Sequence, residues 1–179
     1  MLDERQKLQE ILDIDTEVMR IKDIDILLEK LLTRARDFTD ADAGSIYIKE
    51  NNTLRFKYTQ NETEEKRLPP GKKLVYSSFS IPVDNKSIAG YVAATGETLN
   101  IPDVNALRSG TPYSFDSTYD HITGYHTHSV LAFPLRAHGN DIVGVLQLIN
   151  AKTPDNGVAV FDKRDEPFIL HFANNAALA

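Results

Sequence analysis

The hydrophobic period changes after residue 35, and this change constrains the fold more strongly than any other feature of the chain. Over residues 24–35, apolar side chains recur every three to four positions, which is typical of one face of an α-helix. Over residues 43–60, apolar and polar side chains alternate, and the Asn51-Asn52 pair between the two halves is a turn signal. The sequence therefore predicts a helix followed by a β-hairpin.

The later part of the chain extends the hairpin into a larger sheet. A short helix is predicted over residues 88–95, and two strands over 129–136 and 142–150, joined by a turn at 139–141. A final helix is predicted to begin near Asp162. This order favours the α+β class, with a central antiparallel sheet flanked by helices.

Residues 1–22 are predicted to form an N-terminal helical segment for dimerisation, and residues 23–179 the main domain. Apolar residues of the first helix fall at heptad a and d positions; they are Ile11, Ile14, Val18 and Ile21. Two interpretations remain open. The helix packs on its own domain, or it forms a short coiled coil with a second copy, and fewer than four heptads do not distinguish them.

The composition argues against several classes of function. The chain has 179 residues, 41% of them hydrophobic, which suits one domain with its own core. A net charge of −6 argues against a general nucleic-acid binder, and no apolar run is long enough for a membrane helix. Cysteine is absent, which excludes disulfides, thiolate metal sites and cysteine nucleophiles. A cytoplasmic protein is the expectation.

Motifs of common catalytic sites are missing from the sequence. There is no phosphate-binding loop of the P-loop type, no G-x-S-x-G elbow and no H-E-x-x-H zinc motif. His126 and His128 lie two residues apart, but no third metal ligand accompanies them, so solvent-facing or hydrogen-bonded histidines are favoured. The chain is therefore predicted to be non-catalytic and to hold no metal.

Two short segments point instead to a pocket for a small ligand. Gln147 is a polar residue on an apolar strand face, and Ser45 is a similar polar residue on the first strand. A buried amide is either satisfied within the core or binds the polar edge of a ligand. Residues 85–90 open a helix whose free N–H groups suit an anion such as phosphate, although this feature alone favours an ordinary capped helix packed on the sheet.

Two stretches are predicted to be loops. Residues 61–73 are polar and are predicted to be exposed. Residues 104–127 form a longer irregular stretch, rich in polar and aromatic residues, and a loop of that length in a compact domain is usually functional or mobile. Thr123 and Thr127 offer two hydroxyl groups there, although each alone is a common turn residue.

Several segments, in this order, resemble a GAF domain, which has a PAS-like fold. They are Ser45-Ile46-Tyr47, Ile81-Pro82-Val83, residues 87–96, residues 99–103, Thr123-Gly124-Tyr125, Phe133-Pro134-Leu135 and residues 144–150. The resemblance covers roughly residues 24–179 and is strongest for the cyclic-nucleotide-binding branch of phosphodiesterases and adenylyl cyclases. The motif of that branch, N-K…F-x3-D-E, matches Asn150, Lys152, Phe161, Asp165 and Glu166.

The resemblance implies a sensory domain that binds cAMP or cGMP and has no other cofactor. The implied ligand-contacting residues are Ser45, Gln60, Ile88, Ala89, Phe115, Thr123, Thr127 and Gln147. In this scheme Ile88 and Ala89 give N–H groups to the phosphate, while Ser45 and Gln60 lie near the base. The threonines line the ribose–phosphate side, Gln147 faces the base or ribose, and the loop over 104–127 closes as a lid whose aromatic residues stack on the purine.

One departure from the family motif affects the lysine. The family places Asn and Lys side by side, whereas Ala151 lies between Asn150 and Lys152 here. A shift of one residue on a strand moves a side chain to the other face. The family implies an ion pair with Asp165 below the pocket, and Lys152 is therefore expected to reach it differently or not at all.

The resemblance also implies partners. The end helices, 7–22 and 165–179, would pair two copies into a parallel homodimer and pass the signal to a C-terminal effector domain of a bacterial signalling protein. Two alternatives stay open: a GAF domain that binds no ligand and only dimerises, or a GAF sensor of another small molecule. Free-methionine-sulfoxide reductases share the fold, but they work through cysteines, which this chain lacks.

Overall fold

The computed structural model describes residues 3–72, 80–137 and 140–178. Its helices are α1 (Glu4–Arg20), α2 (Ile24–Thr39), α3 (Glu62–Arg67), α4 (Ile88–Thr95), α5 (Thr118–Thr123) and α6 (Glu166–Leu178). Its strands are β1 (Ala41–Glu50), β2 (Thr53–Asn61), β3 (Ser80–Pro82), β4 (Leu99–Ile101), β5 (Val130–Arg136), β6 (Ile142–Lys152) and β7 (Val158–Ala159). The predicted hairpin, the helix over 88–95 and the two later strands are confirmed.

The predicted loop over 61–73 instead begins with the short helix α3. Asn61 caps this helix, since its side-chain oxygen accepts a hydrogen bond from the Glu64 N–H at 2.9 Å. Glu62 and Glu64 form ion pairs with Lys66 and Arg67 one turn later. α3 buries no side chain, so the hydrophobic pattern of the sequence could not reveal it.

The strands of the described residues form one antiparallel sheet in the order β3-β2-β1-β6-β5-β4, and β7 pairs with the end of β6. β1 and β6, with 10 and 11 residues, lie at the centre and pair with each other. Helices cover both faces, and the α+β class with a central antiparallel sheet is confirmed.

The sheet separates two apolar clusters. The larger cluster joins the sheet to α1, α2 and α6, and its members include Leu32, Phe38, Ile46, Leu148 and Phe172. The smaller cluster joins the opposite face to α4, and its members include Tyr47, Leu54, Val92, Ala132 and Val145. Neighbouring residues of the central strands therefore face different clusters, as the period of two requires.

α1 packs on its own domain. The Ile14 side chain is 1% exposed, and Ile11 and Ile21 pack against the larger cluster. Arg34 of α2 also donates a hydrogen bond to Glu10 of α1 at 2.8 Å. The a and d residues whose side chains the structure describes therefore contact their own domain, as the first of the two interpretations states.

A largely buried ion pair joins α1 to the start of α6. Lys7 Nζ donates a hydrogen bond to Asp165 Oδ1, and the two side chains are 17% and 10% exposed. Lys7 Nζ also lies 4.8 Å from the centroid of the Phe38 ring. Because a buried carboxylate without a partner is strongly unfavourable, α1 contributes to the stability of the whole domain.

The variant Lys7→Met should lower the free energy of unfolding by about 2–4 kcal/mol, because it leaves Asp165 desolvated and without its cation. Lys66→Met is the matched control, since the Lys66 side chain is 72% exposed and pairs with Glu62 at the surface. Urea unfolding at neutral pH measures both variants. If Lys7→Met lowers the free energy of unfolding no more than Lys66→Met does, this account of α1 is contradicted.

Candidate functional site

A cavity of about 280 Å³ lies on the smaller-cluster face of the sheet. Strands β1, β2 and β6 form its floor, β3 and the start of α4 contribute a wall, and residues 115–127 contribute the roof. Six of the residues predicted to contact a ligand line this cavity: Ser45, Ile88, Ala89, Phe115, Thr127 and Gln147. The structure therefore brings most of the predicted site together.

The floor of the cavity contains a polar row that crosses three strands. Ser45 of β1 pairs with Thr59 of β2 on one side and with Gln147 of β6 on the other. Ser45 Oγ and Thr59 Oγ1 lie 3.3 Å apart and share a hydrogen bond. Next to this row, the rings of Tyr47 and Phe56 contact each other with centroids 4.6 Å apart. The floor thus offers hydroxyl and amide groups beside an aromatic surface.

Gln147 lies in the floor, and the oxygen of its amide lacks a hydrogen bond within the described chain. Its Oε1 is shielded from solvent and has no hydrogen-bond partner among the described residues. A buried acceptor without a donor costs about 1–3 kcal/mol. Because the oxygen is covered by protein, a ligand reaches it only after the amide rotates by half a turn, which exchanges its oxygen and nitrogen.

The first turn of α4 forms part of the cavity wall. The first N–H groups of a helix have no partner inside the helix. Ser87 Oγ satisfies one of them by accepting a hydrogen bond from Gly90 N–H at 3.0 Å. Ile88 and Ala89 precede Gly90 and line the cavity. This end of α4 suits a negatively charged or strongly accepting group.

The position of α4 depends on a glycine. A Cβ atom at Gly90 would lie 2.5 Å from the Pro82 carbonyl oxygen and 2.7 Å from that of Asp84. The backbone after β3 therefore packs directly on the first turn of the helix. The absence of a side chain at residue 90 is thus required for the packing of the protein chain itself.

The roof is tied to the rest of the domain where it begins, and hydrogen bonds between two of its own residues brace it where it ends. At one end, the Ser114 N–H donates to the Asn85 carbonyl at 3.0 Å. At the other, the Asp120 carboxylate accepts from the Thr127 N–H at 2.7 Å and from Thr127 Oγ1 at 2.8 Å. Asp116 and Asp120 both line the cavity, so the roof also adds two acidic residues to it.

Two of the predicted ligand-contacting residues do not line the cavity. Gln60 lies against α2, where it accepts from Arg36 at 2.9 Å and donates to Thr33 Oγ1 at 2.8 Å. Thr123 Oγ1 donates to the Tyr119 carbonyl at 3.0 Å and accepts from the Tyr125 N–H at 3.2 Å. Both side chains are occupied by contacts within the protein.

A β-bulge explains the position of Gln60. The register of β1 with β2 shifts by one residue between Ile46 and Tyr47, so that β2 carries one extra residue, Lys57. Phe56 before the bulge and Thr59 after it both face the cavity. Because side chains alternate along a strand, Gln60 then lies on the opposite face of the sheet. Asn61, two residues beyond Thr59, also lines the cavity, and neither residue was predicted to contact a ligand.

The motif lysine forms different ion pairs from those that the family implies. Lys152 Nζ lies 2.5 Å from Glu62 Oε2 and 3.6 Å from Asp42 Oδ1. Asp165 is paired with Lys7 instead. Hydrogen bonds from Lys152 first, and then from Lys66, lower the pKa of Glu62 to about 2. The expectation that Lys152 reaches Asp165 differently or not at all agrees with this geometry.

The other motif residues also lie outside the cavity. Phe161 is buried in the larger cluster. Glu166 accepts a hydrogen bond from Asn100 Nδ2 at 2.9 Å, which ties the start of α6 to β4. Asn150 is 7% exposed and adopts a left-handed backbone with φ of 56°. These residues stabilise the elements around the cavity, and a ligand in the cavity would not touch them.

The fold agrees with the family to which the chain belongs. Residues 23–179 match the GAF domain family, and the chain belongs to that family. GAF domains are sensory and regulatory modules. Within the described part of the chain, no helix is both long and apolar enough to cross a membrane.

Solved structures with diverse roles share this fold. The GAF domain of a phosphoenolpyruvate-protein phosphotransferase from Coxiella burnetii has a TM-score of 0.71 and 19% identity, over 96% of this chain and 90% of that one. The free methionine-R-sulfoxide reductase from Neisseria meningitidis, in complex with its substrate, has a TM-score of 0.72 and 16% identity, over 99% and 90%. Residues 122 to 287 of a methyl-accepting chemotaxis protein have a TM-score of 0.68 and 17% identity, over 92% of each chain. At these identities the likeness shows the fold alone.

The variant Gly90→Ala should lower the free energy of unfolding by about 1–3 kcal/mol, because the new methyl group overlaps two backbone carbonyls. Ala94→Ser, at an exposed position of the same helix, is the control and should be nearly neutral. Thermal unfolding of the two variants measures the difference. Equal midpoints would show that the backbone after β3 does not fix α4.

Proposed function

We propose that this GAF domain is a sensor that binds a small ligand in the cavity, with cAMP and cGMP as the candidate ligands, and relays binding to an effector domain. The observation that carries the proposal is the cavity itself. It combines the N-terminus of α4, the unsatisfied Gln147 amide and an aromatic surface within about 280 Å³. Pockets of this kind, mostly apolar with a few convergent polar groups, are typical ligand sites.

The parts of a cyclic nucleotide match the parts of the cavity. The phosphate accepts hydrogen bonds from the N–H groups of Ile88 and Ala89, where the helix dipole favours negative charge. The purine stacks on aromatic side chains, for which Phe115 of the roof and Tyr47 of the floor are available. Gln147 binds the edge of the base, and its amide accommodates adenine or guanine.

A second candidate is a small molecule with an ammonium group, such as an amino acid. Asp116 and Asp120 line the cavity, and no lysine, arginine or histidine lies among its described lining residues. A cation would therefore find two carboxylates, and a carboxylate of the same ligand would occupy the α4 N-terminus. A cyclic nucleotide uses the same aspartates as acceptors for its ribose hydroxyl or amino group.

The relay is proposed to pass through α1 and α6. α1 contacts the turn just before α6 through the Lys7–Asp165 pair, and it contacts α6 itself through His171 Nε2, which lies 2.7 Å from Asp15 Oδ1. On the outer face of α1, Leu8 is 58% exposed and Leu12 is 54% exposed. Exposed leucines one turn apart favour a contact with a second copy of the chain, in a homodimer linked to the effector domain.

Thermal unfolding with cAMP, cGMP, 5′-AMP, 5′-GMP, cyclic dinucleotides and the amino acids tests the choice of ligand. A ligand at about 100 times its Kd adds roughly 2.7 kcal/mol to the stability of the folded state and raises the midpoint by several degrees. We expect a selective rise with one cyclic mononucleotide. A rise with an amino acid alone would replace the cyclic nucleotide by the second candidate, and no rise with any compound would favour a domain that only dimerises.

The variant Gln147→Ala should weaken binding of the responsive nucleotide by about 1–3 kcal/mol, because the ligand loses a hydrogen bond inside the cavity. Gln60→Ala is the matched control, since Gln60 bonds to α2 outside the cavity. It should lower stability without changing the Kd measured by calorimetric titration. Unchanged affinity in Gln147→Ala would remove this residue from the binding site.

The double variant Leu8→Glu/Leu12→Glu should convert a dimer into a monomer in sedimentation velocity experiments, because it places four charges in the contact between two copies. Val158→Glu is the control, since Val158 is 57% exposed on β7, which does not belong to this face. A chain that stays dimeric in the double variant, or is monomeric without it, would refute the proposed contact.

A further inference from the structure

The buried side chain of Asn150 holds the segment that ends the roof. Its Nδ2 donates to the Tyr125 hydroxyl at 3.0 Å and to the His126 carbonyl at 2.8 Å, and its Oδ1 accepts from the His128 N–H at 2.7 Å. One amide therefore makes three hydrogen bonds to residues 125–128. Asn150 lies near the end of β6 and has a left-handed backbone conformation, with φ of 56°. Asparagine tolerates this conformation better than most residues do.

Two of the residues within this segment line the cavity. Tyr125 and Thr127 contribute to its lining, whereas Asn150 does not. The Tyr125 hydroxyl also donates to Asp42 Oδ2 at 2.8 Å, so it is held between β1 and β6. Burial, and then the neighbouring Asp42 carboxylate, raise the pKa of Tyr125, which keeps this hydroxyl a donor.

The segment in turn positions the roof. Thr127 forms two hydrogen bonds with the Asp120 carboxylate, and Asp120 belongs to α5. α5 buries no side chain, and its Ile122 is 61% exposed, so apolar packing contributes little to its position. Asn150 therefore holds the backbone on both sides of Thr127, and Thr127 in turn bonds to the helix that covers the cavity.

We propose that Asn150 is a positioning residue, which sets the closure of the roof and through it the affinity for the ligand. It acts on the cavity only through residues 125–128. The statement about affinity rests on the proposed function, whereas the statement about closure concerns the protein without ligand. The two are therefore tested separately.

Hydrogen exchange of the ligand-free protein tests closure. Asn150→Gly removes all three hydrogen bonds and keeps a residue that accepts positive φ. We expect amide exchange over residues 118–128 to rise by about tenfold or more relative to the amides of β6. Asn51→Gly is the matched control, because Asn51 has φ of 55° in an exposed turn, and it should leave residues 118–128 unchanged.

An equal rise over residues 118–128 and over β6 would show that Asn150 only stabilises the whole domain, and would overturn the proposal. Asn150→Asp keeps the acceptor for the His128 N–H but loses both donor bonds. Its exchange over residues 118–128 should lie between that of the original protein and that of Asn150→Gly. Exchange at the original rate would also overturn the proposal, since the donor bonds would then have no role.

Titration with cAMP and cGMP tests the effect on affinity. If either nucleotide binds the original protein, Asn150→Gly should raise its Kd by about tenfold or more, and Asn51→Gly should not. An unchanged Kd in Asn150→Gly would overturn the proposed effect on affinity. If neither nucleotide binds, the cyclic-nucleotide proposal fails by itself, and the exchange experiment still decides whether Asn150 closes the roof.

Discussion

The pairing of β1 with β6 at the centre of the sheet is the interaction on which the rest of the structure depends. Because these strands present alternate residues to opposite faces, the same pairing places Ile46 and Leu148 in the helical core and Ser45 and Gln147 under the cavity. The hydrogen bonds between β1 and β6 therefore position both the residues of the core and the residues of the cavity floor. A one-residue change in the register of this pairing would move each set of side chains to the opposite face. The helical core and the floor of the cavity would then both be lost.

Much of this arrangement could be predicted from the sequence. The two hydrophobic periods define the helices and the hairpin, and the alternation in residues 142–150 identifies Gln147 as the polar residue on an apolar face. The position of Gln60 could not be predicted, since a one-residue bulge in β2 turns it toward α2 and brings Thr59 to the cavity. Bulges have no strong local sequence signal, yet each one moves the side chains that follow it in the strand to the opposite face of the sheet.

The partners of the charged side chains were equally hidden from the sequence. Asp165 pairs with Lys7, 158 positions earlier in the chain, and Lys152 pairs with Glu62 in a helix that the hydrophobic pattern did not show. A motif defines which residue types are present, but the tertiary packing determines which of them meet. The family resemblance indicated the fold correctly, whereas the cyclic nucleotide remains a proposal for this cavity.

The central claim is that the cavity over the polar row binds a ligand against the first turn of α4. Amide nitrogen–proton correlation spectra of the labelled protein, recorded during titration with cAMP and then with cGMP, test it most directly. The account predicts that the largest shifts occur at Ile88, Ala89 and Gln147, with smaller ones in the roof. Spectra that do not change, or changes confined to the outer face of α1, would contradict it.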